Sequence, residues 1–210
     1  AAGVSGIIYA KNFLKANPGK RAAVVAVEAP SATFQLDDFS MTNIVSAAIF
    51  GDGAACVLLS ADDADEGPEI IADEMYHFYD AEKMMGFDLT NGGLKMVLDV
   101  AVPDTIEAHF PAIIHPFLER QGIEISQIEH LIFHPGGKKI VQLVEALFGS
   151  MNKNIDDTKE ILRMFGNMSS ATVLYVLERF LEPGRAKQGD LGLMLSFGPG
   201  FSAQRILLKW

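Results

Sequence analysis

The fold is decided by the stretch from His134 to Asn167, which opens with the sequence FHPGG (residues 133–137) and closes with FGNMSS (residues 165–170). In each motif an apolar run gives way to small residues, and a helical pattern follows. An imidazole can donate or accept a proton, and a side-chain amide can donate two hydrogen bonds. Aimed at one point, the two groups could hold a carbonyl oxygen as it becomes negatively charged. Taken singly, a loop histidine is more often structural, and an asparagine before a helix is usually an N-cap.

Two further glycine-rich motifs accompany this stretch, IFGDGAA at residues 49–55 and FGPGF at residues 197–201. The four motifs, in this order, resemble those of type III polyketide synthases, the chalcone-synthase-like branch of the thiolase fold. The resemblance covers essentially the whole chain. It implies a Cys-His-Asn catalytic triad in which His134 and Asn167 are the second and third members. The first member is not in this sequence.

The composition is that of a folded protein without the features of a nucleic-acid binder. Of the 210 residues, 49% are apolar and 21% are charged, and 17 basic against 27 acidic residues give a net charge of −10. Because there is no basic stripe, we expect no nucleic-acid binding. No apolar run is long enough to span a bilayer. A single cysteine excludes an internal disulfide framework and is typical of a reducing compartment, so we expect a cytoplasmic protein.

The first ten residues are small and apolar on all sides, and the pattern continues to Leu14 before the terminator Asn17-Pro18-Gly19. A helix that is apolar all round is predicted to be buried. In the family that the chain resembles, the nucleophilic cysteine lies in a Gly-Cys-x-Ala-Gly motif at the start of such a helix, and Ala1-Ala2-Gly3 matches the residues just after that cysteine. We therefore expect the chain to begin one residue after its nucleophile, whose thiolate the positive end of the helix dipole would favour.

The cysteine that is present, Cys56, lies inside a predicted strand at residues 51–60. We expect it to be a small buried hydrophobic residue, inert because nothing there favours its thiolate. The preceding run, Arg21–Glu28, is predicted to be a buried central strand. Cys56 is therefore not our candidate nucleophile.

Three residues are assigned to the substrate site by the resemblance. Phe50 matches the phenylalanine that faces the triad, orients malonyl-CoA and favours loss of its carboxylate by excluding water. Thr33 matches a position that lines the acyl cavity, although a loop hydroxyl bonded to the backbone is an equal alternative. Met96 matches the place of a second phenylalanine that gates the CoA tunnel, although a methionine in the core of a strand face is again equally plausible.

Four further residues complete the predicted substrate-binding set. Lys138 and Lys139 open a helix, where free backbone amides and two ammonium groups suit a phosphate of CoA. Two solvated lysines are the alternative, because the helix dipole disfavours cations there. Ser169 belongs to the FGNMSS motif, and Gly198 to the turn that shapes the wall of the active site in the family.

An acidic, turn-rich segment at residues 61–68 is the best candidate for a domain boundary. It divides the chain into residues 1–65, which would complete an N-terminal subdomain, and residues 66–210, the C-terminal subdomain. Because no histidine lies at ligand spacing beside these acids, we expect no metal site. The predicted fold is the C-terminal half of a thiolase-like α/β/α/β/α layered structure.

The resemblance implies an acyltransferase that condenses malonyl-CoA with an acyl-CoA starter by a decarboxylative Claisen reaction. It implies CoA thioesters as substrates, no other cofactor, the N-terminal half of the same enzyme as a partner, and a homodimer. One alternative is another condensing enzyme, such as a ketoacyl synthase III or an HMG-CoA-synthase-like protein. A second is a non-catalytic partner with the same fold, and the residue before Ala1 distinguishes it, since the enzyme requires cysteine there.

Overall fold

The computed structural model describes residues 1–62, 65–149 and 153–210, and its secondary structure follows the hydrophobic pattern of the sequence. In these ranges the α-helices are α1 (Ala2–Ala16), α2 (Met41–Ile49), α3 (Val102–Glu119), α4 (Lys138–Gly149), α5 (Asp156–Phe165) and α6 (Thr172–Leu181). The strands are β1 (Arg21–Glu28), β2 (Gly53–Ser60), β3 (Glu69–His77), β4 (Met85–Thr90), β5 (Gly93–Leu98), β6 (Ile128–Phe133), β7 (Leu191–Gly198) and β8 (Ser202–Lys209).

A four-stranded mixed sheet in the order β3-β8-β7-β6 lies at the centre. β6 and β7 are parallel, and the other pairs are antiparallel. The two faces of this sheet alternate along each strand, as strand geometry requires. On β8, Leu207 packs in a core cluster with α3 and α4, whereas Ile206 and Leu208 pack in a second cluster with α1 and α6.

The second core cluster also contains Ala26 of β1, and Ala55 and Val57 of β2 pack against it. The described layers are therefore α3 with α4, the central sheet, α1 with α6, and the antiparallel pair β1-β2. This order matches four layers of the predicted α/β/α/β/α arrangement. A fifth helical layer is not formed by residues 1–62, 65–149 or 153–210.

The outer face of the β1-β2 pair is exposed, so the prediction that β1 is a buried central strand is wrong for the described residues. Val25, Val27 and Leu58 are 64%, 71% and 75% exposed. They alternate with inward-facing neighbours such as Val24 and Val57. The sequence is apolar on both faces of β1, but only one face has a neighbouring layer in the described structure.

The prediction that Cys56 is buried is wrong for the same reason. Cys56 pairs with Val25 across the β1-β2 ladder, and directly opposite residues share one face of an antiparallel sheet. Cys56 therefore lies on the exposed face and is a free, exposed thiol.

The opening helix has the predicted extent but not the predicted burial on all sides. α1 ends just before Asn17, where the terminator was predicted. Val4, Ile7 and Ile8 are buried against the second core cluster. Tyr9 and Phe13 are exposed, because no described layer covers that side of α1.

The remaining predicted elements follow the pattern with small shifts of their ends. The long helix α3 contains Pro111 and Pro116 and is one continuous element. The predicted acidic linker at residues 61–68 includes residues 63 and 64, which lie outside the described residues. Asp65 of this segment pairs with Arg21 at the start of β1, with a shortest N···O distance of 2.8 Å.

A close backbone contact joins the end of α2 to the end of α5. The Asn167 amide donates to the Ile49 carbonyl at 2.8 Å, and the Gly51 amide donates to the Asn167 carbonyl at 3.1 Å. Glycine is required here. A Cβ at Gly166, whose φ is +72°, would lie 2.6 Å from the Ile49 carbonyl oxygen, and one at Gly51 would strike the Phe165 carbonyl oxygen. The contact places Phe50 and Asn167 side by side in an isolated parallel bridge.

We predict that Gly166→Ala destabilises the protein by more than its backbone conformation alone explains. Gly122 is a matched control, because its φ is +67° and an added Cβ would meet nothing within 4 Å. Each alanine variant should lose about 1–2 kcal/mol for the left-handed conformation. Gly166→Ala should lose at least about 1 kcal/mol more, since overpacking costs typically 1–3 kcal/mol. Denaturant unfolding of the two variants measures the difference, and equal losses would contradict the steric argument.

Candidate active site

His134 lies immediately after β6, at the end of the central sheet. Its amide donates to the Leu195 carbonyl of β7 at 3.0 Å, so the parallel pairing continues up to the site. The Thr158 hydroxyl of α5 donates to the Phe133 carbonyl at 3.0 Å and fixes the end of the strand. Carboxyl ends of strands are common positions for ligand sites in α/β folds. His134 is therefore held at a defined position at the end of β6, and 8% of the residue's surface is exposed.

The surroundings of His134 keep its imidazole neutral. Burial lowers the pKa of His134 to about 3. Within the described residues, His134 Nδ1 is buried without a hydrogen-bond partner. A neutral imidazole has one nitrogen that donates and one that accepts. His134 can therefore offer a hydrogen bond to a carbonyl oxygen without first losing a proton.

The Asn167 amide is held in one orientation by two backbone groups. Its Oδ1 accepts the Ser169 amide at 2.9 Å, and its Nδ2 donates to the Gly136 carbonyl at 3.1 Å. Only the NH₂ group can donate to a carbonyl, so these partners determine which end of the amide faces the FHPGG loop. One N–H of Nδ2 remains for another acceptor. The Asn167 side chain, 4% exposed, thus lies against the loop that carries His134.

A cavity of about 560 Å³ lies beside Phe50, between the end of β1, α2 and the β4-β5 hairpin. It contains four of the residues predicted to bind substrate or orient it, together with neighbours from these elements. Its lining includes Glu28, Thr33, Phe50, Met96 and Ser169.

Thr33 and Met96 both line this cavity, and each also makes a local contact. The Thr33 hydroxyl donates to the Pro30 carbonyl at 2.8 Å, so the cavity position and the backbone bond, posed as alternatives, coexist. Met96 is half-buried on β5, and its Sδ accepts the Ser46 hydroxyl at 3.1 Å. Met96 faces the cavity rather than joining either core cluster of the described residues.

Of the other predicted residues, two lie close to the candidate site and two do not reach the cavity. Gly198 adjoins Ala1, since a Cβ at Gly198 would lie 2.7 Å from that of Ala1. Ser169 borders both the cavity and Asn167. Lys138 and Lys139 are exposed at the start of α4, directly after the FHPGG loop, and the structure does not bring them to the cavity.

Glu28 was missed by the sequence reasoning, which treated it only as the end of a strand. It lines the cavity, and its Oε1 accepts both the amide and the hydroxyl of Ser170. Burial lowers the pKa of the Ala1 ammonium group to about 5, and the Glu28 carboxylate opposes this shift. A charged residue at the end of the apolar run RAAVVAVE was the signal available in the sequence.

Among the residues that the structure describes, no cluster of three or more histidine, cysteine, aspartate or glutamate side chains is arranged to hold a metal ion. None of the described helices combines the length and apolar character needed to cross a membrane.

Comparison with known proteins gives two family matches. The model described as chalcone and stilbene synthases, C-terminal domain, matches residues 71–210. The model described as 3-oxoacyl-[acyl-carrier-protein (ACP)] synthase III matches residues 1–77.

Individual relatives align with the whole of the chain. A 1,3,6,8-tetrahydroxynaphthalene synthase of Streptomyces peucetius subsp. caesius is 34% identical over 99% of this chain and 56% of its own length. A 3,5-dihydroxyphenylacetyl-CoA synthase of Streptomyces toyocaensis is 31% identical over 100% of this chain and 55% of its own length. The crystal structure of 1,3,6,8-tetrahydroxynaphthalene synthase from Streptomyces coelicolor A3(2), a bacterial type III polyketide synthase, superposes with a TM-score of 0.92 at 28% identity, covering 100% of this chain and 60% of that one. The chain thus spans 55% to 60% of the length of these proteins.

We predict that His134 makes the stability of the protein depend on pH. Its folded pKa lies below its unfolded value of about 6.5, so the unfolded state binds the proton first as the pH falls. Between pH 7 and pH 5 the free energy of unfolding should fall by about 2 kcal/mol through this group. Replacing His134 with glutamine should remove this part of the slope, measured by denaturant unfolding at both pH values. Identical slopes in parent and variant would contradict the burial of a neutral imidazole.

Proposed function

The chain belongs to the chalcone and stilbene synthase family, and on that premise we propose that it forms the C-terminal part of a type III polyketide synthase. The proposed reaction is a decarboxylative Claisen condensation of malonyl-CoA with an acyl-CoA starter. One observation carries the proposal: the Asn167 amide is held against the FHPGG loop that carries His134, beside a cavity lined by Phe50. Two hydrogen-bond donors near a partly apolar cavity suit a thioester whose carbonyl oxygen gains charge.

In the proposed mechanism, His134 and Asn167 donate hydrogen bonds to the thioester carbonyl oxygen of malonyl-CoA. When CO₂ leaves, the electron pair of the broken C–C bond moves into the enolate, and the negative charge falls on that oxygen. The enolate carbon then attacks the acyl thioester of the starter and expels the enzyme thiolate. A neutral imidazole suits this role, because it donates a hydrogen bond without protonating the enolate as a strong acid would.

The acyl group in this scheme is carried by a cysteine immediately before Ala1, in an N-terminal half of the same enzyme. Support comes from the position of Ala1, whose amino group lies near His134 and 3.3 Å from the Phe197 carbonyl oxygen. α1 begins at Ala2, so a preceding thiol would feel the positive end of the helix dipole. This end of the dipole favours the thiolate that the reaction requires.

The substrate roles follow from the cavity. Phe50, Thr33, Met96 and Ser169 line it and are proposed to contact the malonyl and acyl groups. Gly198 is proposed to form part of the active-site wall beside the nucleophile, where a larger side chain would overlap Ala1.

The remaining parts of the proposal concern the whole enzyme. Lys138 and Lys139 would contact a CoA phosphate at the start of α4. The whole enzyme is proposed to be a cytoplasmic homodimer that uses CoA thioesters and needs no other cofactor.

A ketoacyl synthase III activity is the second candidate, because residues 1–77 match that family model. The two candidates differ in the carrier of the starter group. Priming of the full-length enzyme by an acyl carrier protein in place of acyl-CoA would favour the second. A residue other than cysteine before Ala1 would favour a non-catalytic partner.

We predict that His134→Ala and Asn167→Ala in the full-length enzyme each reduce malonyl-CoA decarboxylation strongly. Loss of one oxyanion donor typically lowers the rate on the order of 10²- to 10³-fold. The measurement is release of CO₂ from malonyl-CoA under saturating conditions. Cys56→Ser serves as a control that should retain the rate, because Cys56 lies on the outer face of β1-β2. An unchanged rate in both alanine variants would refute the assignment.

Met96 should tune the accepted acyl chain without changing the chemistry. Met96→Phe places a rigid ring at the cavity wall, so the preference should shift towards short starters. One methylene in a hydrophobic pocket is worth about 1–3 kcal/mol, which is measurable as kcat/KM across a series of acyl-CoA lengths. Malonyl-CoA decarboxylation should change little. Met41→Phe is a matched control, since Met41 is an exposed residue of α2 that does not line the cavity. The same length profile in the parent and Met96→Phe would assign Met96 a packing role.

A further inference from the structure

Glu28 ends β1 at the edge of the cavity and binds the turn that follows Asn167. Its Oε1 accepts the Ser170 amide at 3.2 Å and also accepts the Ser170 hydroxyl. Two donors from one residue converge on one carboxylate oxygen, so the position of Ser170 is fixed relative to the end of β1. The anchored residue, Ser170, is itself buried.

The anchored turn is the one that orients the Asn167 amide. Ser169, the neighbour of Ser170, donates its backbone N–H to Asn167 Oδ1. Ser169 has a φ of +50°, a sparsely populated conformation for a residue other than glycine, which persists only when surrounding contacts hold it. The Glu28 carboxylate supplies such contacts one residue further along.

The same turn is restrained from other sides. Gly3 of α1 approaches the Ser170 carbonyl so closely that a Cβ would strike it, and Gly53 of β2 leaves room only for the Met168 side chain. These contacts are backbone and apolar packing, which limit where the turn lies. Glu28 provides the polar contacts to Ser170 that set its direction.

We infer that Glu28 is a positioning residue for Asn167: by holding Ser170 it keeps the Ser169 N–H on Asn167 Oδ1, so that Nδ2 faces the site. The inference rests on the proposed function of Asn167 as an oxyanion donor. The role of Glu28 is geometric, since both contacts need only an acceptor oxygen. A glutamine can supply that acceptor through its own Oε1, whereas alanine cannot.

The test compares Glu28→Gln with Glu28→Ala in the full-length enzyme, with malonyl-CoA decarboxylation as the readout. Loss of positioning in Glu28→Ala should lower kcat on the order of 10- to 10²-fold with little change in KM, because the oxyanion contact strengthens in the transition state. Glu28→Gln should restore most of the rate. An equal loss in both variants would overturn the inference, because it would assign Glu28 to charge or proton chemistry.

A double-mutant cycle shows whether Glu28 acts through Asn167. In an Asn167→Ala background, Glu28→Ala should cause no further loss of decarboxylation, since the group it orients is absent. Independent, multiplicative losses would overturn the inference while leaving the role of Asn167 intact. An unaffected rate in Asn167→Ala alone would instead be a failure of the proposed function.

Ser170→Ala keeps the experiment decisive if Glu28→Ala does not fold. It removes the hydroxyl donor and retains the backbone bond to Glu28, so a smaller loss in the same direction is expected. That loss should also vanish in the Asn167→Ala background. A parental rate in a folded Ser170→Ala variant, together with a parental rate in Glu28→Gln and an unfolded Glu28→Ala, would assign Glu28 to stability alone.

Discussion

The site depends on the backbone contact between residues 49–53 and residues 165–168. Its hydrogen bonds, from the Asn167 amide to Ile49 and from the Gly51 amide to Asn167, join two segments that are more than 110 residues apart in sequence. Glycines make the approach possible, because a Cβ on either side would overlap the opposing carbonyl. The contact aligns the residue that borders the cavity, Phe50, with the residue that faces the FHPGG loop, Asn167. The cavity and the FHPGG loop are thus connected through main-chain atoms.

Much of the fold could be predicted from the sequence, because the hydrophobic periodicity of helices and strands and the residues of turns are local signals. The thiolase-like fold of type III polyketide synthases, inferred from four motifs, is confirmed by the superposition on a solved member. The helix stop at Asn17 was predicted to the residue, and the predicted turn at Gly198 lies between β7 and β8. These features require only neighbours in the sequence.

The errors arose where burial depends on a distant layer. The apolar patterns of β1 and of the strand containing Cys56 predict burial on both faces, but the pattern does not name the element that covers each face. Glu28 was missed for a related reason, since its partner Ser170 is 142 residues away. No local sequence pattern indicates that Glu28 and Ser170 are hydrogen-bonded. The predicted site residues were found through motifs, and their supporting contacts through the three-dimensional arrangement alone.

The exposed face of β1-β2 makes the stability of this chain a matter of thermodynamic linkage. Val25, Val27 and Leu58 stand largely in water there, and burying such a side chain contributes about 1.5–3 kcal/mol. Any surface that binds this face binds only the folded state, so it adds to the free energy of unfolding as its occupancy rises. The free energy of unfolding is therefore not a constant of these 210 residues. It is a function of what covers them and at what concentration.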